Sequence, residues 1–454
     1  MAEDMFRPPV NLAMKSLDRT FFQKKIPLSA ARILNNSHIS NIRSQLDRSK
    51  DSLSLSRCQN VRPDPSAEAA GKRCILLRPQ INDEGQEWPW TPLVGQLEKD
   101  DLIKLIPYDL HLDYNYWTYQ DISQAILPKD GKEEIPSGFQ IVGHIAHLNL
   151  RDQWLPYKNL IGELILDKNT GIRTVINKID DVGEENEYRT FKYELLAGEH
   201  DMNAEMKEQS CIFRFDYSKV YWNSRLNTEH ERLVGLFKEG EAVCDVMAGI
   251  GPFALPAGKK RVFTWANDLN PESYKYLKAG VKLNKVHDFV QPFNENGHDF
   301  IRQAAAELAR AEHSVTIRAG AVEQKKGPKA PMSKIADKTL VQPKVFSHFV
   351  MNLPASAMDF LPDFVGLYDE ETRALLPEDA PMPMVHCYCF DTKSDDNVEE
   401  RKRICERISN LIGHTITPET PETVIWDVRD VSTNKRDFCA SFRLPKEVAF
   451  RQRA

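Results

Sequence analysis

The sequence predicts an α/β protein with a doubly wound, mostly parallel sheet that ends in an antiparallel hairpin, preceded by a smaller α+β module. Three features of the 454-residue chain indicate this architecture. After residue 216, five short apolar segments are mostly separated by helical segments, as in parallel sheets covered by helices on both faces. Two further strand-like segments follow near the end. Between residues 136 and 215, strand-like segments surround one helical segment.

The composition is that of an ordinary globular protein. Charged residues make up 28% of the chain and the formal net charge is −6, so the total charge does not indicate a nucleic-acid-binding protein. The eight cysteines include no CxxC pair, and we expect reduced thiols in an intracellular protein, with neither zinc nor disulfides. No apolar run approaches the roughly 18 residues of a membrane helix.

The first 70 residues have a different charge balance. Residues 5–50 contain nine Lys or Arg, two Asp and no Glu. A basic, acid-poor segment with interspersed serines is typical of a mitochondrial presequence. We therefore expect residues 1–70 to form a basic, largely unpacked arm with a targeting role. An arm that is simply disordered is the alternative.

Residues 71–135 form a mixed segment to which the sequence assigns no fold. In the module of residues 136–215, "FQIVGHIAHLNL" (139–150) predicts two strands, and "WLPYKNLIGELILDKN" (154–169) predicts a short amphipathic helix. Two further strand-like segments follow, "TFKYELLAGEH" and "IFRFDYSKVYWN". The second of these alternates apolar and polar residues.

The parallel sheet is expected in residues 216–450. Its five predicted strands are "EAVCDVM" (241–247), "RVFTWAND" (261–268), "DFVQPFN" (288–294), "SHFVMNL" (347–353) and "MVHCYCF" (384–390). One connecting helix, in "NPESYKYLKAGVKLNKV", is expected to begin after the cap Asn270. Residues 318–344 hold seven Lys or Arg and two acids without a hydrophobic period, which predicts a basic loop insertion. The final hairpin, "ETVIWDVRDV" and "DFCASFRL" joined by "STNKR", is typical of the methyltransferase variant of the doubly wound fold.

The stretch "CDVMAGIGPF" (244–253) indicates a ligand-binding turn. Gly249 and Gly251 match the glycine spacing of dinucleotide-binding proteins. Asp268 follows them at the sequence spacing of the acid that binds the ribose in those proteins. Asp245, however, would repel a pyrophosphate and could face the amino group of S-adenosylmethionine. Pro252 also removes a backbone N–H that an anion would need. The features together favour S-adenosylmethionine over a nicotinamide cofactor.

A candidate proton acceptor lies just before the glycine strand, in "FDYSKVYWNSRLNTEHERL" (215–233). Thr228 and Glu231 have the spacing of a capping box, which predicts a helix start there. Glu229 would then occupy the first turn, where the helix dipole favours a carboxylate able to accept a proton. A purely structural role for a first-turn glutamate is the alternative.

These motifs together resemble the eukaryotic and archaeal tRNA (guanine-37-N1)-methyltransferase family, which has the class I, Rossmann-like methyltransferase fold. The resemblance extends from about residue 136 to 445 and is carried by "GHIAHLNLR", "YELLAGEH", "VYWNSRLNTEHER", "DVMAGIGPFALPA", "NDLNPESYKYLKAGVKLNK", "MNLPASAMDFL" and "VRDVSTNKRDF". It implies transfer of a methyl group from S-adenosylmethionine to N1 of guanosine 37 in the tRNA anticodon loop, without a metal.

The resemblance also implies roles for individual residues. Glu229 would be the general base and Arg189 its orienting partner, while Tyr221 and Asn352 would hold the guanine. The implied donor contacts are His230, Asp268, Leu269, Asn296, Gly297 and Asn352. Residues 71–135 and 136–215 would contact tRNA, residues 216–450 would form the catalytic domain, and the chain would be a monomer. The expected locations are the mitochondrial matrix, the nucleus and the cytoplasm.

Three other functions stay open on the sequence alone. A related wybutosine-pathway enzyme uses the same fold and donor but transfers an aminocarboxypropyl group to tRNA. A non-catalytic tRNA-binding protein on the same scaffold would not need Glu229. A nicotinamide-dependent oxidoreductase would share the glycine pattern.

Overall fold

The fold was analysed in a computed structural model that describes residues 5–66, 71–81, 85–128, 135–179, 188, 190–318 and 337–452. The chain divides into two compact units. Unit 1 comprises residues 1–139, 146–177 and 194–199, and unit 2 comprises residues 140–145, 178–193 and 200–454.

The helices are α1 (Ile39–Arg48), α2 (Pro92–Lys99), α3 (Tyr119–Ile126), α4 (Lys158–Lys168), α5 (Asn227–Leu236), α6 (Ala254–Lys259), α7 (Pro271–Leu283), α8 (Gly297–Arg310), α9 (Glu370–Leu375), α10 (Val398–Ile412) and α11 (Lys446–Ala449). The strands are β1 (Lys24–Ile33), β2 (Val61–Pro63), β3 (Arg73–Leu76), β4 (Ile103–Leu112), β5 (Gln140–Val142), β6 (Ile145–Leu148), β7 (Thr174–Lys178), β8 (Tyr193–Gly198), β9 (Asn203–Glu208), β10 (Cys211–Asp216), β11 (Ala242–Asp245), β12 (Phe263–Asn267), β13 (Val290–Phe293), β14 (Ser314–Ile317), β15 (Lys338–Val341), β16 (His348–Met351), β17 (Met384–Thr392), β18 (Val424–Ser432) and β19 (Lys435–Arg443).

Unit 1 contains an antiparallel sheet in the order β2-β3-β1-β4. β1 alternates its side chains across this sheet, so that Ile26 and Ala30 enter one hydrophobic cluster and Ala31 and Ile33 enter another. Helices α1 and α2 contribute apolar side chains to the second cluster. Strands β6, β7 and β8 are neighbours in a further sheet.

The prediction that residues 1–70 form an unpacked arm was wrong for the described residues 5–66. β1 pairs with β4 along its whole length and also with β3, so the predicted boundary at residue 70 separates strands of one sheet. Basic residues of this region bind acids that are distant in sequence. Lys25 Nζ lies 2.7 Å from Asp109 Oδ2, and the Arg32 guanidinium contacts the Asp64 carboxylate. Part of the local excess of positive charge is thus compensated in the folded unit.

The predicted module of residues 136–215 is divided between the two units. Both strands expected in residues 139–150 are present, as β5 and β6. The predicted amphipathic helix is α4, but it is buried on more than one side. Its Gly162 lies against β8, where an added Cβ would be 2.6 Å from Cβ of Leu196. The polar face of α4 is a stripe of Asn159, Glu163 and Asp167, each four residues from the next, so the predicted amphipathic helix is present.

Unit 2 contains a sheet in the order β13-β12-β11-β16-β17-β19-β18. The first five strands are parallel, and β19 is antiparallel to β17 and β18. The five predicted parallel strands and the terminal hairpin are therefore confirmed. The hairpin turn is shorter than "STNKR", because β18 extends to Ser432 and β19 begins at Lys435.

Helices cover both faces of this sheet. On one face, Phe300 of α8 and Ile404 of α10 belong to the main cluster of buried side chains. On the other face, Leu233 of α5 and Ala257 of α6 join a second cluster.

In the predicted loop 318–344, residues 338–341 form β15, which pairs with β14, and residues 319–336 lie outside the described residues. No helix in the described ranges is long and apolar enough to cross a membrane.

Candidate active site

The glycine turn follows β11 at the carboxyl edge of the parallel sheet, and its two glycines face different surroundings. Gly249 has a φ of +56°, and a Cβ added to it would meet nothing within 4 Å. Gly251 has a φ of +92°, and a Cβ there would be 2.7 Å from Cδ1 of Leu277 on α7. Gly249 thus faces open space, whereas Gly251 allows close packing of the turn on a helix.

The open space beside Gly249 is a cavity of about 640 Å³ in unit 2. The ends of β11, β12 and β16 and the starts of α7 and α8 contribute to its wall. The predicted site residues that line it are Tyr221, His230, Gly249, Asp268, Leu269, Asn296, Gly297 and Asn352. Glu229, Asp245 and Gly251 are not in the lining, and Arg189 lies outside the described residues.

Asp268 bridges the glycine turn and the start of α7. Its Oδ2 accepts a 2.7 Å hydrogen bond from Gly249 N–H, and its Oδ1 accepts one of 3.0 Å from Asn270 N–H. Burial raises the pKa of the Asp268 carboxyl, although these hydrogen bonds act in the opposite direction. A carboxylate has about four acceptor sites, so the Asp268 carboxylate can still accept a hydrogen bond from a ligand hydroxyl.

Asp245 is a buried carboxyl group at the end of β11. It is 0% exposed, and neither oxygen has a hydrogen-bond partner in the described part of the chain. Burial, with a smaller effect of the nearby Asp268 carboxylate, raises the pKa of Asp245 well above its usual range. Because an unpaired buried carboxylate is costly, a cationic ligand group near this end of the cavity would be favoured.

The part of the cavity wall around the start of α8, which follows β13, is apolar and aromatic. Asn296 caps α8 by accepting a hydrogen bond from His298 N–H at 2.9 Å. The His298 ring stacks on Phe360, with centroids 3.9 Å apart and planes 10° apart. A Cβ at Gly297 would lie 2.9 Å from Phe360, so only glycine lets this ring lie against the start of the helix. Leu269, 43% exposed, also lines the cavity and gives this wall a second apolar surface.

Tyr221 and Asn352 offer the cavity a ring and a carboxamide. The Tyr221 side chain is 43% exposed, and Asn223 Nδ2 donates a 3.4 Å hydrogen bond to its hydroxyl. Asn352 follows β16, and its carboxamide makes no hydrogen bond with another described residue. Both groups are therefore available to a ligand.

Glu229 lies in the first turn of α5, but Thr228 does not cap this helix. The helix begins at Asn227, directly after a 3₁₀ turn that Asn223 caps. The predicted capping box is therefore wrong, because the 3₁₀ turn already leads the chain into helical geometry two residues earlier.

The Glu229 carboxylate has three hydrogen-bond donors. Arg232 donates from Nε to Oε2 at 2.7 Å and from Nη2 to Oε1 at 2.6 Å. The Tyr388 hydroxyl, on β17, donates to Oε1 at 2.6 Å. Burial first, and then nearby negative groups, raise the pKa of Tyr388 well above its usual range, so this hydroxyl stays protonated. Glu229 is 3% exposed and thus held behind the cavity wall.

Two family models match the chain. The TYW2 N-terminal domain matches residues 119–201, and the TRM5/TYW2 methyltransferase domain matches residues 204–313. A tRNA (guanine(37)-N(1))-methyltransferase of Aspergillus fumigatus is 50% identical over 99% of this chain and 96% of its own length. The chain belongs to the tRNA (guanine(37)-N(1))-methyltransferase family.

Other members of this family are similar over almost the full length. The protein of Neurospora crassa is 46% identical over 99% of this chain and 96% of its own length. That of Candida albicans is 41% identical over 98% of this chain and 99% of its own length. Among solved structures, Trm5b from Pyrococcus abyssi matches with a TM-score of 0.56 and 20% identity, over 92% of this chain and 99% of its own. These likenesses confirm the predicted family, and the structural one shows the class I methyltransferase fold.

Sequence reasoning missed several residues of this site. Arg232 could have been found, because it stands three residues after Glu229 on one helix face. Tyr388 has no such signal, since it reaches Glu229 from a strand 159 residues away. Phe360 and Glu208 were missed for the same reason: their contacts with His298 and His230 depend on the tertiary fold.

Proposed function

We propose that this chain transfers the methyl group of S-adenosylmethionine to N1 of guanine 37 in tRNA, as the names of its relatives state for them. The observation that carries the proposal is the 50% identity to such an enzyme over 99% of the chain. A structure of aTrm5 in complex with tRNALeu, 18% identical with a TM-score of 0.56 over 92% of this chain, shares the fold.

The residues around the cavity fit S-adenosylmethionine. Gly249 has no side chain where the ligand would approach, and the unpaired carboxyl of Asp245 lies near the same turn. We infer that Asp268 binds the ribose hydroxyls and that Leu269 and Phe360 contact the adenine ring. When bound, S-adenosylmethionine supplies an electrophilic methyl group on a sulfonium. No side chain needs to activate that group further.

The guanine would enter from the exposed side of the cavity. An enzyme that acts on a base must take it out of its stack, and such bases commonly stack on aromatic side chains. The exposed ring of Tyr221 is suited to this role, and the open carboxamide of Asn352 can donate and accept hydrogen bonds on a base edge. We infer that these two residues hold the target.

Guanine N1 carries a proton and becomes nucleophilic when that proton leaves. We propose that Glu229 accepts it. Leu226 and His230, which are close to Glu229 in the sequence, line the cavity. Rotation of the Glu229 side chain away from Arg232 and Tyr388 would therefore bring its carboxylate to the same wall. We further propose that Arg189, which lies outside the described residues, stabilises the negative charge that develops on O6.

The proposed partner is the tRNA anticodon stem-loop, bound by a monomer through its phosphates. Such contacts predict an affinity for tRNA that falls as the salt concentration rises.

We propose activity in the mitochondrial matrix, the nucleus and the cytoplasm. Because Met14, Leu17 and Phe22 are buried in the core of unit 1, a leader removed on import would have to end before Met14. N-terminal sequencing of the mitochondrial pool tests this, and a start beyond Met14 would contradict it.

Nucleoside analysis of tRNA transcripts tests the proposed reaction. The chain is incubated with S-adenosylmethionine and a transcript carrying G37, and in parallel with the same transcript carrying adenosine there. We expect 1-methylguanosine from the first transcript and no methylated nucleoside from the second. An aminocarboxypropyl adduct would indicate the wybutosine-pathway reaction, and tRNA binding without any modified nucleoside would indicate a non-catalytic protein.

A further inference from the structure

A buried carboxylate lies behind His230, which lines the cavity. Nδ1 of His230 is 2.6 Å from Oε1 of Glu208, and each of the two side chains is 4% exposed. Glu208 ends β9, at a tight turn whose next two residues, Gln209 and Ser210, both have positive φ. Because a carboxylate only accepts hydrogen bonds, Nδ1 is the donor and carries a proton. The bond therefore fixes which ring nitrogen faces away from Glu208.

Aromatic neighbours hold the His230 ring in place. It meets Phe253 with centroids 4.9 Å apart and planes at 81°, and it lies 6.4 Å from the Trp222 ring. Phe253 closes the glycine turn, so the imidazole stands beside that turn. Nε2 of His230 forms no hydrogen bond with another described residue. It is also not one of the fully buried polar atoms that lack a partner, so part of its surface is accessible. We conclude that Nε2 is open to the cavity.

Side chains that can carry positive charge are scarce around this cavity. Its wall, in the described part of the chain, contains no lysine and no arginine, whereas Asp268 and Asp359 are acidic. The methionine part of S-adenosylmethionine ends in a carboxylate, which is bound best by a charged donor. Of the side chains that line the cavity in the described ranges, His230 and His298 are the two that can become cationic.

The two histidines belong to different parts of the wall. His298 stacks on Phe360 at the start of α8, and its Nδ1 lies 2.6 Å from Asp363, which Arg302 also contacts. That wall is the one assigned above to the adenine ring. His230 instead stands beside the glycine turn, the part of the cavity assigned to the methionine group.

We propose that Glu208 is a positioning residue for the methyl donor, which orients His230 so that Nε2–H binds the carboxylate of the methionine part. This rests on the proposed function, since it takes S-adenosylmethionine as the ligand. Because Nδ1 already carries the proton shared with Glu208, Nε2–H donates to the ligand only in the ring that has both nitrogens protonated. Glu208 itself contacts no ligand.

Calorimetric titration with two donors tests this inference. Decarboxylated S-adenosylmethionine lacks only the carboxylate that His230 would bind. In Glu208→Gln the amide can still accept from Nδ1 but carries no charge. We expect its affinity for S-adenosylmethionine to fall about tenfold relative to the unmodified protein, and its affinity for the decarboxylated donor to change by no more than about twofold. A purely structural effect would weaken both donors equally.

Two matched variants separate the possible causes. Glu205→Gln, on the same strand and 45% exposed in its pair with Arg214, should change neither affinity. His298→Ala should weaken both donors alike. Equal losses for both donors in Glu208→Gln, or an unchanged affinity for S-adenosylmethionine, would overturn the inference. If the unmodified chain binds neither donor, the proposed function itself is wrong.

A second variant covers the case in which Glu208→Gln does not fold. His230→Asn removes the proposed carboxylate donor and leaves Glu208 in place. We expect the preference for S-adenosylmethionine over the decarboxylated donor to be lost in this variant. A preference equal to that of the unmodified protein would overturn the inference.

Discussion

The Tyr388 hydroxyl donates a 2.6 Å hydrogen bond to Oε1 of Glu229, the residue proposed to accept the guanine proton. Tyr388 is 0% exposed and lies on β17, whereas Glu229 lies in the first turn of α5. Arg232 binds both oxygens of the same carboxylate. The proposed base is thus already held by hydrogen bonds, and its movement into the cavity must break them. The contribution of each bond can be measured by removing its donor.

Removal of the Tyr388 hydroxyl should destabilise the fold. Tyr388→Phe deletes a buried hydrogen bond to a charged group, so we expect the free energy of unfolding to fall by about 1–3 kcal/mol. Tyr368→Phe is the matched control, because the Tyr368 hydroxyl is buried without a partner among the described residues. That variant should be unchanged or slightly more stable. Denaturant unfolding measures both, and equal losses would contradict the assigned bond.

Glu229→Gln should slow chemistry without affecting donor binding. Loss of a positioned general base typically costs about 10²- to 10⁴-fold in rate. Because Glu229 is not in the cavity lining, the donor dissociation constant should be nearly unchanged. Single-turnover methyl transfer and calorimetry measure the two quantities. Glu231→Gln, exposed on the same helix, should behave like the unmodified chain, and full activity of Glu229→Gln would exclude the proposed base.

The two glycines of the turn should respond differently to alanine. Gly249→Ala puts a methyl group into the open cavity at a left-handed φ, which costs roughly 1–2 kcal/mol of stability and obstructs the donor. Gly251→Ala also forces Leu277 to move, so its stability loss should be larger. Thermal melts and donor titrations of both variants measure this. Equal stability losses, or normal donor affinity in Gly249→Ala, would contradict the assigned orientations.

Asp245 should make stability depend on pH. Its pKa in the fold is raised above the ordinary 3.8, so the unfolded chain releases this proton at lower pH than the folded chain does. The native state therefore loses stability as the pH rises above about 3.8, and Asp245→Asn should abolish that loss. At neutral pH we expect the variant to be more stable by on the order of 1–3 kcal/mol and to bind the donor more weakly.

Thermal melts from mildly acidic to neutral pH measure the effect of Asp245→Asn. The advantage of the variant should grow as the pH rises. Glu307→Gln, which removes an exposed carboxylate from α8, should leave the pH dependence unchanged. A variant of Asp245 that is less stable than the unmodified chain at every pH would show that the carboxyl has a stabilising partner.

Much of the sheet in unit 2 could be predicted because its strands are buried on both faces and therefore appear as short apolar runs. β1 gave no such signal. In "KKIPLSAARI" the lysines and arginine interrupt the apolar residues, and their acidic partners, including Asp64 and Asp109, come from other parts of unit 1. A local charge count cannot distinguish a basic arm from a strand whose charges are paired through tertiary contacts.

The site was predictable where its residues follow strand ends. Asp268 follows the glycines at a recognisable spacing, and both Asp268 and Asn352 follow parallel strands, whose carboxyl ends share one edge of the sheet, so both line the cavity. Which groups surround a side chain was not predictable. Glu208 behind His230 and Tyr388 beside Glu229 are long-range contacts, and no spacing in the sequence encodes them.

The most direct measurement is the structure of the chain bound to S-adenosylhomocysteine and an anticodon stem-loop carrying G37. We expect the guanine to lie against Tyr221, with the Glu229 carboxylate within about 3 Å of N1 and its hydrogen bond to Tyr388 broken. If Glu229 instead remains hydrogen-bonded to Arg232 and Tyr388 while another group faces N1, Glu229 does not accept this proton.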